Sequence, residues 1–317
     1  MEVIIVKSAA EAARKAARIY KRMLDEKPTA VLGLATGSTP LKLYSELVRM
    51  CENGEIDFSK ATTFNLDEYV GLPEGDPNSY RYFMDANLFD KINIDKKRTH
   101  MPCGNADDVN EHCAEYDAKI RLAGGIDLQL LGIGADGHIG FNEPTSSLTS
   151  RTRIKTLTKQ TISDNARFFG GDPDKVPTHA ITMGIGSIMD ARMIVLLAFG
   201  ENKAEAIKAA IEGPISAMVP ASALQMHKNV KVIMDEPAAS QLRLREYYDW
   251  VYERKPEWQK DAEKQSAKIR AASEFFFGKK RQSGPKAAGF FFAPTRRARK
   301  IRHAPYSAAG RHVVKRG

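Results

Sequence analysis

The sequence predicts an α/β fold: three layers, doubly wound and Rossmann-like, with a mainly parallel sheet and helices on both faces. Three observations predict it. Short apolar runs recur between stretches of helical periodicity, the alternation expected of β-α-β units. The clearest of those runs, Met193–Phe199, is apolar throughout rather than at every second residue, as in a strand covered on both faces. The segments rich in Gly, Ser, Thr and Asp fall just after the runs, where such sheets carry their sites.

The elements follow in order. Val3–Val6 reads as a strand and residues 9–26 as a polar, alanine-rich helix. Ala30–Ala35 is the next apolar run, and Pro40–Cys51 the next helix. Ala61–Asn65 gives a third strand, residues 127–132 another, and Met193–Phe199 the clearest of all. Lys203–Ile211 is helical, Val230–Met234 is a late strand, and a helix is expected from Pro237 to about Tyr252.

Composition narrows the function. The chain has 317 residues, 43% of them hydrophobic, enough to bury a core without disulfide staples. Its three cysteines show no CxxC spacing, and no run is long enough for a membrane span, so a reduced cytoplasmic setting is expected. The formal charge of +9 is local: twelve Lys/Arg and no Asp/Glu lie between Lys279 and Gly317. The organisation predicted is one domain over residues 1–272 and a basic, disordered tail over 273–317, with clusters at Phe275–Phe277 and Phe290–Phe292. Nucleic-acid binding is expected only if that tail supplies it.

Three segments carry chemistry. Thr36-Gly37-Ser38-Thr39, between a strand and a helix, can offer free N–H groups and hydroxyls to a phosphate; Thr39 suits the N-cap and Pro40 the first helical position. Asn65-Leu66-Asp67-Glu68-Tyr69 offers two carboxylates, either of which could be a base at the strand end. The third runs from Gly132 to Pro144 and matches GxGxxG, but no acid stands about 20 residues on, so a dinucleotide site is rejected. What remains is His138 between Asp136 and Glu143, where a carboxylate would fix one ring nitrogen and free the other as a base. Arg151, Arg153 and Lys155 alternate on one face of an extended segment. Arg167 and Lys203 are further candidate phosphate cations. The bland alternatives are a capping turn, a loop acid and solvated surface charges. No metal site or cofactor motif emerges; Glu111-His112-Cys113 reads as plain helix surface.

The motifs 65–73, 136–144 and 150–157 resemble those of glucosamine-6-phosphate deaminases, over residues 2 to about 250. The resemblance implies that Asp67 moves a proton between C2 and C1 of the open sugar. It implies that His138 opens the ring, supported by Asp136 and Glu143, and that Thr36, Gly37, Ser38, Thr39, Arg167 and Lys203 hold phosphate. It implies a sugar-phosphate substrate, no cofactor and a homo-oligomer, in some members a hexamer activated by N-acetylglucosamine 6-phosphate. Ser146, Arg153 and Lys155 match that effector site, with Tyr247 or Tyr248 near its completing aromatic. Ala35 stands where Pro is usual and Gly140 where Ala is usual. The rival readings are a 6-phosphogluconolactonase, a sugar-phosphate-binding regulator without catalysis, and a nucleic-acid binder working through the tail.

Overall fold

In the computed structural model, which describes residues 1–73 and 75–256, strands and helices alternate along the chain. In order they are β1 (Glu2–Val6), α1 (Ala9–Glu26), β2 (Val31–Leu34), α2 (Leu41–Glu52), β3 (Thr62–Asn65), β4 (Asp67–Tyr69), α3 (Tyr80–Asn87) and β5 (Thr99–His100). Then come α4 (Val109–Leu122), β6 (Leu128–Leu131), β7 (Arg153–Thr156), α5 (Lys159–Asn165), β8 (His179–Thr182), α6 (Ile185–Met189), β9 (Met193–Ala198), α7 (Ala204–Glu212), β10 (Val230–Asp235) and α8 (Arg245–Glu253). The expected boundary at 272/273 and the basic tail lie outside the described residues. So do the Phe clusters.

Seven strands pair in parallel in the order β1-β10-β9-β6-β2-β3-β5. From β2 the chain winds outward through β3 to β5, then returns to β6 on the other side and winds through β9 to β10. The direction reverses between β2 and β6, so their carboxyl ends border the crevice where doubly wound sheets bind ligands. The α/β expectation and its strand positions hold.

The core follows from the apolar faces. Helix α1 buries Ala12, Ala13, Ala16, Ala17, Tyr20 and Leu24, an i, i+4 stripe whose small residues allow close packing. Ser8 Oγ accepts from Glu11 N and starts the helix. Leu43, Tyr44 and Leu47 of α2 are fully buried, and cutting Leu47 to Ala would cost about 2–5 kcal/mol. Among the described residues no helix is long and apolar enough to cross a membrane.

Two expectations change. A second sheet, β4-β8-β7, is antiparallel and was not expected. Its strands are three or four residues long, and β7 has a polar sequence, so no apolar run announces it. The helix expected from Pro237 begins only at Arg245, because Asp235 accepts from Ala238 N and the chain turns there instead. Leu66 links the sheets: its N–H donates to Leu34 of β2, and its carbonyl accepts from Met183 N, next to β8. The small sheet has its own apolar cluster, with Tyr69, Phe141, Leu157 and Phe169 at its centre.

Candidate active site

A cavity of about 470 Å³ opens at the carboxyl ends of β2 and β6, within the size range of small-molecule sites. Its wall includes Thr36, Gly37, Ser38 and Thr39 after β2, Asp67 after β3, and Gly132 to Ala135 with His138 after β6. Arg167 and Lys203 line it as well. The sheet therefore gathers the expected phosphate positions, Asp67 and His138 around one space, while Asp136 and Glu143 touch His138 without lining the cavity.

The loop after β2 differs in detail from expectation. Pro40 rather than Thr39 takes the N-cap position of α2, and no side chain caps that end. The first-turn N–H groups thus lack a side-chain acceptor, an arrangement suited to an anion. The loop's first residue is also braced: Tyr44 Oη donates to the Ala35 carbonyl at 2.5 Å and accepts from Ala35 N at 3.3 Å. Proline at position 35 could not make the second of these bonds.

The structure separates the two carboxylates of the second motif. Glu68 is buried and accepts from three backbone N–H groups, those of Tyr69, Tyr80 and Arg81, so it anchors the start of α3. Asp67, 6% exposed, faces the cavity instead. Burial pushes its pKa up to about 7, helped by the neighbouring Glu68 charge and opposed by His138 and a hydrogen bond from Thr36. A carboxylate with that pKa can take up and release a proton near neutrality.

His138 is held by its neighbours in the loop. Its Nδ1 lies 2.7 Å from Asp136 Oδ1 and 3.5 Å from Glu143 Oε2. Asp136 Oδ1 also accepts from His138 N at 3.1 Å, fixing the turn. Burial alone would drive the proton off the ring, but the two carboxylates outweigh it and hold the pKa up at about 9. Asp136, despite partial burial, is held well below the usual carboxylate range by His138. The two carboxylates therefore favour the imidazolium, which suits the ring to give a proton as well as to take one, the role the sequence suggested. Gly134 makes room for it: a Cβ there would lie 2.3 Å from the imidazole.

Gly140 has φ of +58°, and a Cβ would meet Thr182 Oγ1 at 2.9 Å and Asp67 Oδ2 at 3.5 Å. Glycine at this position suits the backbone and leaves the Thr182 hydroxyl uncrowded.

Among the described residues, Asp136, His138 and Glu143 form the one trio of potential metal ligands, with donor atoms within 4.8 Å of one another. Two ligands of a zinc ion, each at about 2.0 Å, would stand about 3.3 Å apart. The 2.7 Å contact is that of a directly paired histidine and carboxylate.

The cationic end is less regular. Burial lowers the pKa of Lys203, and the Arg167 guanidinium lies over the Phe168 ring, 4.8 Å from its centroid. Arg153 and Lys155 share a face of β7, and Arg153 Nη1 donates to Asn142 Oδ1 at 2.9 Å. Ser146 is buried. Tyr247 and Tyr248 pack against each other on α8, where Tyr248 donates to Glu212.

The profile of the glucosamine-6-phosphate isomerase/6-phosphogluconolactonase family matches residues 6–234. The chain belongs to this family. A glucosamine-6-phosphate deaminase from Shewanella woodyi is 56% identical over 251 residues, 79% of this chain and 95% of that one. One from Mycolicibacterium smegmatis is 53% identical over 259 residues, 82% and 99% of the two chains. A solved structure described as a monomeric glucosamine-6-phosphate deaminase is 46% identical, with a TM-score of 0.74 over 76% of this chain and all of that one. A 6-phosphogluconolactonase from Trypanosoma cruzi shares the fold at 20% identity, with a TM-score of 0.59 over 76% and 97% of the two chains. The sequence did not single out Thr161, Tyr80 and Lys42, which the fold places on the cavity wall. Only Thr161 carried a signal, its spacing of three from Thr158, which marks a helix start.

Proposed function

We propose that this chain converts glucosamine 6-phosphate and water to fructose 6-phosphate and ammonia. The observation that carries the proposal is that one cavity joins a buried carboxylate with a pKa of about 7 to a histidine held protonated by two acids. The deaminase relatives, more than 50% identical, support the same reading.

The chemistry follows from the protonation states. The sugar phosphate sits with its phosphate at the start of α2, held by Thr36, Gly37, Ser38 and Thr39 with Arg167 and Lys203. His138 gives its proton to the ring oxygen as the bond from that oxygen to C1 breaks. It then recovers a proton from the C1 hydroxyl, and an aldehyde remains. Asp136 and Glu143 stabilise the charge on the ring throughout. Asp67 takes the proton from C2 while His138 gives its proton to the C1 oxygen, forming an enolamine; Asp67 then returns the proton to C1, and the resulting C2 iminium gives a proton back to His138. The C2 imine adds water, ammonia leaves, and the ketone remains. Holding the phosphate far from the reacting carbons places C2 against Asp67.

The test is release of ammonia and fructose 6-phosphate by the purified chain with EDTA present, beside Asp67→Asn. Equal amounts of both products from the parent and near-silence from the variant are expected. A folded parent that releases neither overturns the proposal.

Three further readings belong with it. Ser146, Arg153 and Lys155 are proposed as an effector site for N-acetylglucosamine 6-phosphate; the buried, unpartnered Ser146 Oγ and the Arg153–Asn142 bond beside Glu143 support this. A rate-versus-substrate curve unchanged by that compound would sink it. A homo-oligomer is proposed, to be checked by light scattering, since one relative is described as monomeric. The cytoplasm is the proposed location, in keeping with free thiols at Cys51, Cys103 and Cys113.

A further inference from the structure

The roles given to Glu143 and His138 leave open what holds the Glu143 carboxylate. It is buried at 3% exposure, and only one of its oxygens, Oε2, faces the imidazole. The other, Oε1, accepts a hydrogen bond from Thr161 Oγ1. Thr161 is itself 5% exposed and stands on the cavity wall.

Its hydroxyl has a defined direction. Thr158 Oγ1 accepts from Thr161 N at 3.1 Å, which starts α5, and donates to Thr161 Oγ1, also at 3.1 Å. With its acceptor side occupied by Thr158, the Thr161 hydroxyl turns its proton toward Glu143. The two threonines thus relay the helix start into the carboxylate.

We propose that Thr161 is a positioning residue for the ring-opening step, fixing Glu143 so that its second oxygen stays 3.5 Å from His138 Nδ1. The proposal deepens the deaminase reading and rests on it. A buried carboxylate stripped of its donor holds its charge less well. The support it gives to the imidazolium then weakens, and a smaller fraction of His138 stays protonated for the first step. Because α5 leads directly into the turn bearing Arg167 at Ala166–Phe168, one short stretch of chain braces Glu143 and reaches toward the phosphate end of the cavity.

The experiment compares the full-length parent with Thr161→Val, which keeps the shape and removes the hydroxyl, and Thr161→Ser, which keeps the hydroxyl. Turnover, thermal melting and the titration of His138 by NMR of 15N-histidine-labelled protein are measured, the His138 signal being assigned by its loss in His138→Gln. For T161V, kcat is expected to fall about 10- to 100-fold, the usual scale for groups that orient a working side chain, with KM within about twofold. Its His138 titration moves to lower pH, and T161S stays near the parent in both. An unmoved titration in T161V overturns the proposal, as does unchanged turnover in a parent that releases ammonia. A parent that releases none overturns the deaminase reading, while the titration still decides whether Thr161 acts on His138 through Glu143.

Discussion

At the scale of single residues, two protonation states govern the site, and they predict a pH profile. In the proposed reaction Asp67 must lose its proton to act on C2, so kcat/KM should rise through about pH 7; His138 must keep its proton to open the ring, so it should fall through about pH 9. A profile flat across that range would contradict the assignment. Asp67 also predicts a stability effect. Its folded pKa, about 7, lies above the ordinary value of 3.8, so its ionisation weakens the fold as pH rises from about 4 and the loss is complete above about 7. Asp67→Asn should therefore melt higher than the parent at pH 8, by up to roughly 4 kcal/mol, and no higher at pH 4. Calorimetry at both pH values decides it. The sequence showed Asp67, Asp136, His138 and Glu143 as candidates but not which of Asp67 and Glu68 was free. That choice depends on N–H groups twelve and thirteen residues away on α3, which no local pattern encodes.

At the scale of elements, the central parallel strands were legible because burial on both faces favours continuously apolar runs, as in the Met193–Ala198 strand. The antiparallel sheet was not. β7 alternates half-buried and exposed positions, and its partner β8 comes more than 20 residues later, so only the folded chain defines it. The uncapped α2 start was half legible: the turn chemistry was visible, the cap position was off by one residue. The anion site built there predicts a division of labour. Lys203→Met should raise KM for the sugar phosphate about tenfold or more while changing kcat less, since the proposed role of its cation is to bind a group remote from the reacting carbons. A fall in kcat with KM unchanged would place Lys203 in the chemistry instead.

At the scale of the whole molecule, the reversal of winding between β2 and β6 explains why residues 100 positions apart share one cavity. The sequence supplied the strands and the loops after them, but not the strand order, which depends on pairings between distant segments. The family profile ends at residue 234, and the relatives align over about four fifths of the chain. A chain ending after Ala262 should accordingly keep kcat and KM within about twofold of the full length; a large loss would assign the last residues a part in the reaction.

The Asp67 strand belongs to the small sheet, with its own apolar cluster, whereas most of the other catalytic groups follow strands of the large one. Segments with separate cores can open separately, each with its own free energy. Mild urea or warmth should therefore silence the protein before it unfolds, by lifting the proton carrier away from an otherwise standing scaffold. In a urea series, activity should be half lost at a lower concentration than the far-UV circular dichroism signal, with sugar phosphate narrowing the gap. Coincident curves would mean that the two sheets give way together.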